Sequence, residues 1–275
     1  MMTTKILFTD LDDTLLDKDK NVSDEDLRSI NEMIKAGHRF VIATGRPVYS
    51  AKVVARSLGL YRDGIFLITS NGAAIYDCGS EKIISSRTVD TDLVGAMFDA
   101  ALSEGIHIHT YTDENVVSLR ETEELKIYCD RIRMPYKILE RIPEDLPSPP
   151  PKFVVMSIKK DSRKILKDFR DRHAALTDNR VQNVFSNDFL LEYLPLGISK
   201  GDALKDLCGL LDIPIKDSVA AGDEANDIPM IDAAGLGVVV RNGTDEAKSH
   251  AGYVTKRTNN ESAISEIIEK FVMNN

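Results

Sequence analysis

Residues 5–13 read KILFTDLDD. KILFT is a short apolar run of the kind a strand shows when both of its faces are buried, as in parallel sheets. Asp10 and Asp12 stand at its carboxyl end, where open α/β sheets collect their ligands. The Asp-x-Asp triplet alone decides nothing. A chain with 28 aspartates supplies such triplets by chance, and four occur, at 10/12, 17/19, 24/26 and 90/92. The last three fall in turns or helix starts, where aspartate has a local hydrogen-bonding job. The same turn chemistry is the competing reading of Asp10 and Asp12.

Outward from this strand, Ser23 and Asp26 open a helix with Leu27, Ile30, Met33 and Ile34 on one face, and Gly37 stops it. RFVIA (39–43) is a second strand. It leads through Thr44-Gly45-Arg46-Pro47 into a helix that ends at Gly59, with Pro47 in its first turn. GIFLI (64–68) is a third strand, followed by Thr69-Ser70-Asn71-Gly72. This alternation predicts an α/β fold with a parallel sheet.

From about residue 83 the rhythm loosens. A helix is expected over 90–104, an antiparallel pair from IHIHTY (106–111) and NVVSLR (115–120), and a helix over 121–131. Five prolines in the nine residues 143–151 make a stiff connector. A strand at 152–158, a helix near 161–175 and two strands within 180–194 follow. The α/β rhythm then returns with a helix capped by Ser199, a strand at 217–221, the loop Gly222-Asp223-Glu224-Ala225-Asn226-Asp227, a strand at 235–240 and a closing helix at 261–272. The expected organisation is a core of residues 1–82 and 190–275, split by an α+β insert over 83–189.

With 35 Lys plus Arg against 44 Asp plus Glu, the formal net charge is −9, and 43% of residues are apolar. Such a chain can bury a core but has no basic excess for a nucleic-acid backbone. It keeps room for a small anionic ligand, which needs only one local positive pocket. No run is long and apolar enough to span a bilayer, and MMTTKILFTD turns acidic too soon for a signal peptide. Cys78, Cys129 and Cys208 lie too far apart for a zinc spacing and read as packed, reduced cysteines. The expected setting is therefore cytoplasmic.

Three further element ends carry chemistry: Thr44, Lys200, and the group Asp223, Asn226 and Asp227. Singly they read as a helix cap, a solvated lysine and an acidic loop. Gathered on one rim with Asp10 and Asp12, they make a crowd of acids that stays ionised only beside a cation. Mg2+ is the hard divalent ion suited to oxygen ligands. His107 and His109 share a strand face but lack a third ligand, so a core or surface role is the plainer reading.

FTDLDDTLL, ATGRP, GISKGDAL and GDEANDIPM, in this order and spacing, resemble the four signature motifs of the haloacid-dehalogenase-like (HAD) phosphohydrolases. The likeness covers nearly the whole chain and is greatest to the Cof-type members with a large inserted cap. One departure is Asp13, where many Cof-type members have glycine. The resemblance implies a Rossmann-like catalytic core and a cap over 83–189 that selects the substrate. It implies that Asp10 attacks phosphorus to give an aspartyl-phosphate, that Asp12 is acid and then base, and that Thr44 and Lys200 contact the transferring oxygens. It further implies Mg2+ held by Asp10, the Asp12 carbonyl and Asp223, with Asp227 and Asn226 around them. Gly45, Arg46 and Asn71 join Thr44, Lys200 and Asn226 as expected substrate-binding positions. The implied activity is hydrolysis of small phosphorylated metabolites. A sugar phosphomutase of the same superfamily is the alternative enzyme, and a receiver-type phospho-aspartate signalling module is the alternative of another class. Oligomeric state is not legible.

Overall fold

The first apolar run forms β1 (Ile6–Asp10), every residue of which is buried. Its alternate side chains enter two cores. Ile6 and Phe8 pack with Val41, Ile68 and Leu204, while Leu7 packs with Phe40, Ile42 and Leu67. Burial on both faces is why the strand carries no polar alternation.

In the computed structural model, which describes residues 3–274, β1 is followed by α1 (Asp24–Lys35), β2 (Arg39–Ala43), α2 (Val48–Ser57), β3 (Ile65–Thr69), β4 (Ala74–Asp77) and β5 (Lys82–Ser86). Ser23 caps α1 by accepting from the Asp26 N–H at 3.0 Å. Next come α3 (Thr91–Ser103), β6 (His107–Tyr111), β7 (Val116–Ser118), α4 (Glu123–Ile132), β8 (Tyr136–Ile138) and β9 (Phe153–Met156). They are followed by α5 (Ser162–Arg172), α6 (Ala174–Thr177), β10 (Val181–Asn187) and β11 (Leu190–Pro195). The chain ends with α7 (Lys200–Leu210), β12 (Ser218–Gly222), α8 (Ile228–Ala233), β13 (Leu236–Val239), α9 (Asp245–His250), β14 (Tyr253–Val254) and α10 (Ala263–Ile267), which widens into a π-helical stretch as far as Met273.

These elements divide into two compact units, Met1–Ser85 with Ile198–Asn275, and Ser86–Gly197. The first unit holds the sheet β14-β13-β12-β1-β2-β3-β4-β5, whose strands from β14 to β3 pair in parallel, while β4 runs against β3. The chain winds outward from β1 through β2 to β3, then resumes on the other side with β12. The carboxyl end of β1 is thus the point where the winding reverses, the place where open sheets bind ligands. The second unit holds the sheet β10-β11-β9-β6-β7-β8 and its own core around Phe98, Phe153, Phe169 and Tyr193.

The boundary expected at 189/190 moves to 197/198. It fell between the two strands of the β10–β11 hairpin, whose antiparallel pairing runs from Val181 with Pro195 to Asn187 with Leu190. Hydrogen bonding keeps both strands in the second unit. The other boundary moves from 82/83 to 85/86, because β5 extends the first sheet through most of its length. The β4–β5 strands were not anticipated. No helix among the described residues is long and apolar enough to cross a membrane.

Leu204 of α7 is fully buried against the underside of β1 and β2. Leu204→Ala should cost about 2–5 kcal/mol, read as a lowered midpoint in urea unfolding; a loss below about 0.5 kcal/mol, the range of surface substitutions, would contradict this packing.

Candidate active site

Four element ends in the first unit meet. Asp10 is the last residue of β1, Thr44 follows β2, Lys200 begins α7, and Asp223 and Asp227 follow β12. The Ser199 side chain accepts from the Asp202 N–H and fixes the start of α7. That start directs Lys200 inward, where its side chain is 1% exposed. Its Nζ donates to Asp10 Oδ1 at 2.5 Å and to Asp227 Oδ1 at 2.6 Å. The second Asp227 oxygen accepts the backbone N–H groups of Asp223 and Glu224 at 3.0 and 3.3 Å. Gly222 permits this closure, since a Cβ there would lie 2.4 Å from the Asp227 Cβ.

Asp10, Asp223 and Asp227 can bring one carboxylate oxygen each within 4.8 Å of one another, all three residues being buried. Burial raises the Asp10 carboxyl well above its ordinary value; Lys200 opposes the rise, and Asp227 and Asp223 add to it. Asp223 is pushed up to about 7, mainly by burial, against a hydrogen bond from Thr14 Oγ1 at 2.7 Å. On Lys200, burial pulls downward, but the Asp10 and Asp227 carboxylates outweigh it and hold the ammonium above its usual range. Three carboxylates against one ammonium leave two negative charges. An all-oxygen donor set with that deficit fits a hard divalent cation.

Asp12 stands apart from this cluster. Its carboxylate accepts from Arg46 Nε at 3.3 Å and Nη2 at 3.2 Å, and pairs with Lys20 Nζ at 3.1 Å. Burial works against ionisation there, but Arg46 and then Lys20 outweigh it and keep the carboxyl below its ordinary value. Asp13, in the position where the resemblance expects glycine, is exposed and left-handed at φ 62°, the region glycine occupies without strain.

Thr44 is buried, and its hydroxyl accepts from the Arg46 N–H at 3.2 Å, leaving its own proton free to donate. Asn71 donates its backbone N–H to the Thr44 carbonyl at 3.2 Å, and its amide covers Gly45, whose Cβ would meet Asn71 Oδ1 at 3.1 Å. Asn226 is exposed on the loop after β12. Sequence reasoning passed over Thr14 and Lys20. Thr14 lies inside the quoted FTDLDDTLL and has the position to be noticed; Lys20 reaches Asp12 only because the turn after β1 folds back. His107 and His109 bond to each other at 3.0 Å and to Thr122 and Tyr111, in the interior of the second unit. Among the described residues Asp10, Asp223 and Asp227 are the one group of three or more side chains placed so that they could share a metal ion, and the three cysteines are free and buried.

Residues 7–268 match the family of haloacid dehalogenase-like hydrolases. Two Bacillus subtilis relatives are named 5-amino-6-(5-phospho-D-ribitylamino)uracil phosphatases, YcsE and YwtE. YcsE is 28% identical, covering 98% of this chain and 96% of its own length. YwtE is 27% identical, covering 98% of both. A haloacid dehalogenase-like hydrolase from Bacteroides thetaiotaomicron shares the fold at a TM-score of 0.89, with 24% identity over 98% of this chain and 99% of that one.

Because the folded protein raises the Asp223 carboxyl from 3.8 to about 7, proton-linked stability is present below about pH 4 and lost as pH rises through about 7. A cation bound only by the folded state restores it. The rise in melting temperature caused by Mg2+ should therefore be larger at pH 8 than at pH 5.5, by differential scanning fluorimetry. Equal rises, or none, would contradict a cation site built on these carboxylates.

Proposed function

The chain belongs to the haloacid dehalogenase-like hydrolases, and from that premise we propose that it is a Mg2+-dependent phosphatase of small phosphorylated metabolites. The observation that carries this reading is the Asp10 carboxylate, held through one oxygen by Lys200 beside Asp223 and Asp227 at the reversal point of the sheet. The relatives named as phosphatases support hydrolysis of a phosphoric monoester.

Lys200 occupies Asp10 Oδ1, which leaves Oδ2 as the attacking atom. It forms a bond to phosphorus as the bond to the leaving oxygen breaks. Asp12 gives that oxygen a proton, then takes one from the water that cleaves the aspartyl-phosphate and restores Asp10. Thr44 donates its free hydroxyl proton, and Lys200 its charge, to the phosphoryl oxygens. Asp10, Asp223 and Asp227 would hold Mg2+, which would supply the positive charge that lets a phosphate dianion approach three carboxylates. The phosphorylated polyol chain in the named substrate of YcsE and YwtE supports sugar or polyol phosphates as the class. Substrate selection we assign to the second unit, which has a core of its own and can vary without disturbing the acids.

Asp12 must hold a proton to act as an acid, yet Arg46 keeps it ionised in the absence of substrate. A phosphate dianion competes for Arg46, and its arrival would release Asp12 to take up that proton. In this reading Arg46 both binds substrate and sets the Asp12 protonation state.

Removal of the nucleophile and removal of the metal are the first tests of the proposal. Asp10→Asn should lower kcat on an aryl phosphate by at least about a thousandfold, with the melting curve still cooperative; EDTA should abolish wild-type turnover and Mg2+ restore it. Substantial turnover in either case removes the nucleophile or the metal from the mechanism. Arg46→Met should shift the limb of the pH–kcat/KM profile that reports Asp12 to higher pH, because the cation that depresses its pKa is gone. A limb that stays in place would separate Arg46 from Asp12. A hydrolysis screen across phosphorylated metabolites then names the substrate.

A further inference from the structure

The turn after β3 keeps a positive φ for three residues in a row, 50° at Ser70, 57° at Asn71 and 108° at Gly72, and only at Gly72 is that free of side-chain strain. Left-handed residues in succession are not a local preference and persist only where surroundings over-determine them. The Ser70 hydroxyl is also buried without a hydrogen-bond partner, a second cost borne at the same place.

What holds the turn is a set of backbone contacts to two catalytic segments. The Ser70 N–H donates to the Arg46 carbonyl at 2.9 Å, and the Asn71 N–H donates to the Thr44 carbonyl at 3.2 Å. On the other side, Gly72 lies directly on the residue before Lys200. A Cβ at Gly72 would be 2.3 Å from the Ser199 carbonyl oxygen and 3.3 Å from the Lys200 nitrogen. Neither neighbour is the end of a flexible side chain; both are backbone at the capped start of α7. Behind Lys200 the fit is equally close, since a Cβ at Gly201 would lie 2.1 Å from the Pro229 carbonyl oxygen. The first turn of α7 is therefore gripped between Gly72 and the start of α8, with no slack to absorb a shift.

We infer that Gly72 is a positioning residue: the Ser70–Gly72 turn braces the backbone of Lys200 against the Thr44 segment, fixing the distance between the Lys200 ammonium and Asp10. The inference rests on the proposed phosphatase reading, because it is read out through turnover. Its logic is geometric. The Lys200 side chain is fully buried and its ammonium is bonded to both Asp10 and Asp227, so a displaced backbone has little room to be absorbed and strains one of those two contacts.

The test is a double-mutant cycle in the full chain, using a fluorogenic aryl phosphate in the presence of Mg2+. Gly72→Ala should lower kcat/KM by about tenfold or more, since misplacement by an ångström suffices for that. In the Lys200→Ala background the same substitution should cost less than about twofold, because residues that act through one another are not additive. A turn with only a structural role would lower the melting temperature and cost the same factor in both backgrounds, which would overturn the inference. If Gly72→Ala does not melt cooperatively, Ser70→Gly, which removes a hydroxyl that has no hydrogen-bond partner and loosens the turn, replaces it in the same cycle. Its loss too must vanish without Lys200; a loss that persists counts against the brace. Wild-type protein that fails to turn over any phosphate ester refutes the phosphatase reading instead, and the two failures are thus distinct.

Discussion

A single ammonium group between two buried carboxylates sets the terms for the rest of the first unit. Lys200 sits where no water can solvate it, and burying charge costs several kcal/mol per ion unless the partners are close and well aligned. Its bonds to Asp10 and Asp227 meet that requirement at 2.5 and 2.6 Å. They also tie β1 to α7, which the chain reaches only after passing through the whole second unit. Pairs of this kind seldom add net stability, because apolar side chains of similar volume would do as well. The arrangement is better explained by what it holds in place.

The electrostatics divide into two accounts. At the rim of β1 and β12, three carboxylates face one ammonium, and burial, helped by the neighbouring negative charges, pushes Asp10 and Asp223 toward the protonated form. Two residues further along the chain, Asp12 is paired with Arg46 and Lys20 and is held ionised instead. Two aspartates separated by one residue thus have opposite tendencies, set by which neighbours the turn after β1 gives each. Neither tendency suits the proposed role at rest: the Asp10 nucleophile needs a cation to bring it to the ionised form, and the Asp12 acid needs Arg46 drawn away before it can hold a proton.

Much of this was legible in the sequence, for a physical reason. A strand buried on both faces has to be continuously apolar, so KILFT announced a central parallel strand, and the acids at its end inherited a meaning from that position. The helix begun by Ser23 and Asp26 was legible because capping is local. The boundary of the second unit was not. β10 is only partly buried along its length while β11 is buried throughout, so their joint membership rests on hydrogen bonds that leave no periodic trace. The partner of Arg46 was hidden for a similar reason: its bonds to Asp12 span 34 positions and depend on how two turns face each other. Asn71-Gly72 was visible as a turn, but its left-handed run through Ser70 was not, since serine has no preference for that region.

Positions without a side chain matter as much here as the charged groups do. At Gly222 the absent Cβ lets Asp227 fold back over its own loop, and at Gly72 it lets a strained turn rest on the backbone ahead of Lys200. Ion pairs alone would fix the relative position of charges only loosely, because lysine has four rotatable carbons and aspartate can rock. Backbone-to-backbone contact removes that freedom at its root by fixing where each side chain begins. The precision of the Lys200–Asp10 contact therefore depends on two kinds of complementarity at once, opposite charge at the tips and close steric fit at the backbone. A substitution that preserves every charge can still disable the site by spoiling the second.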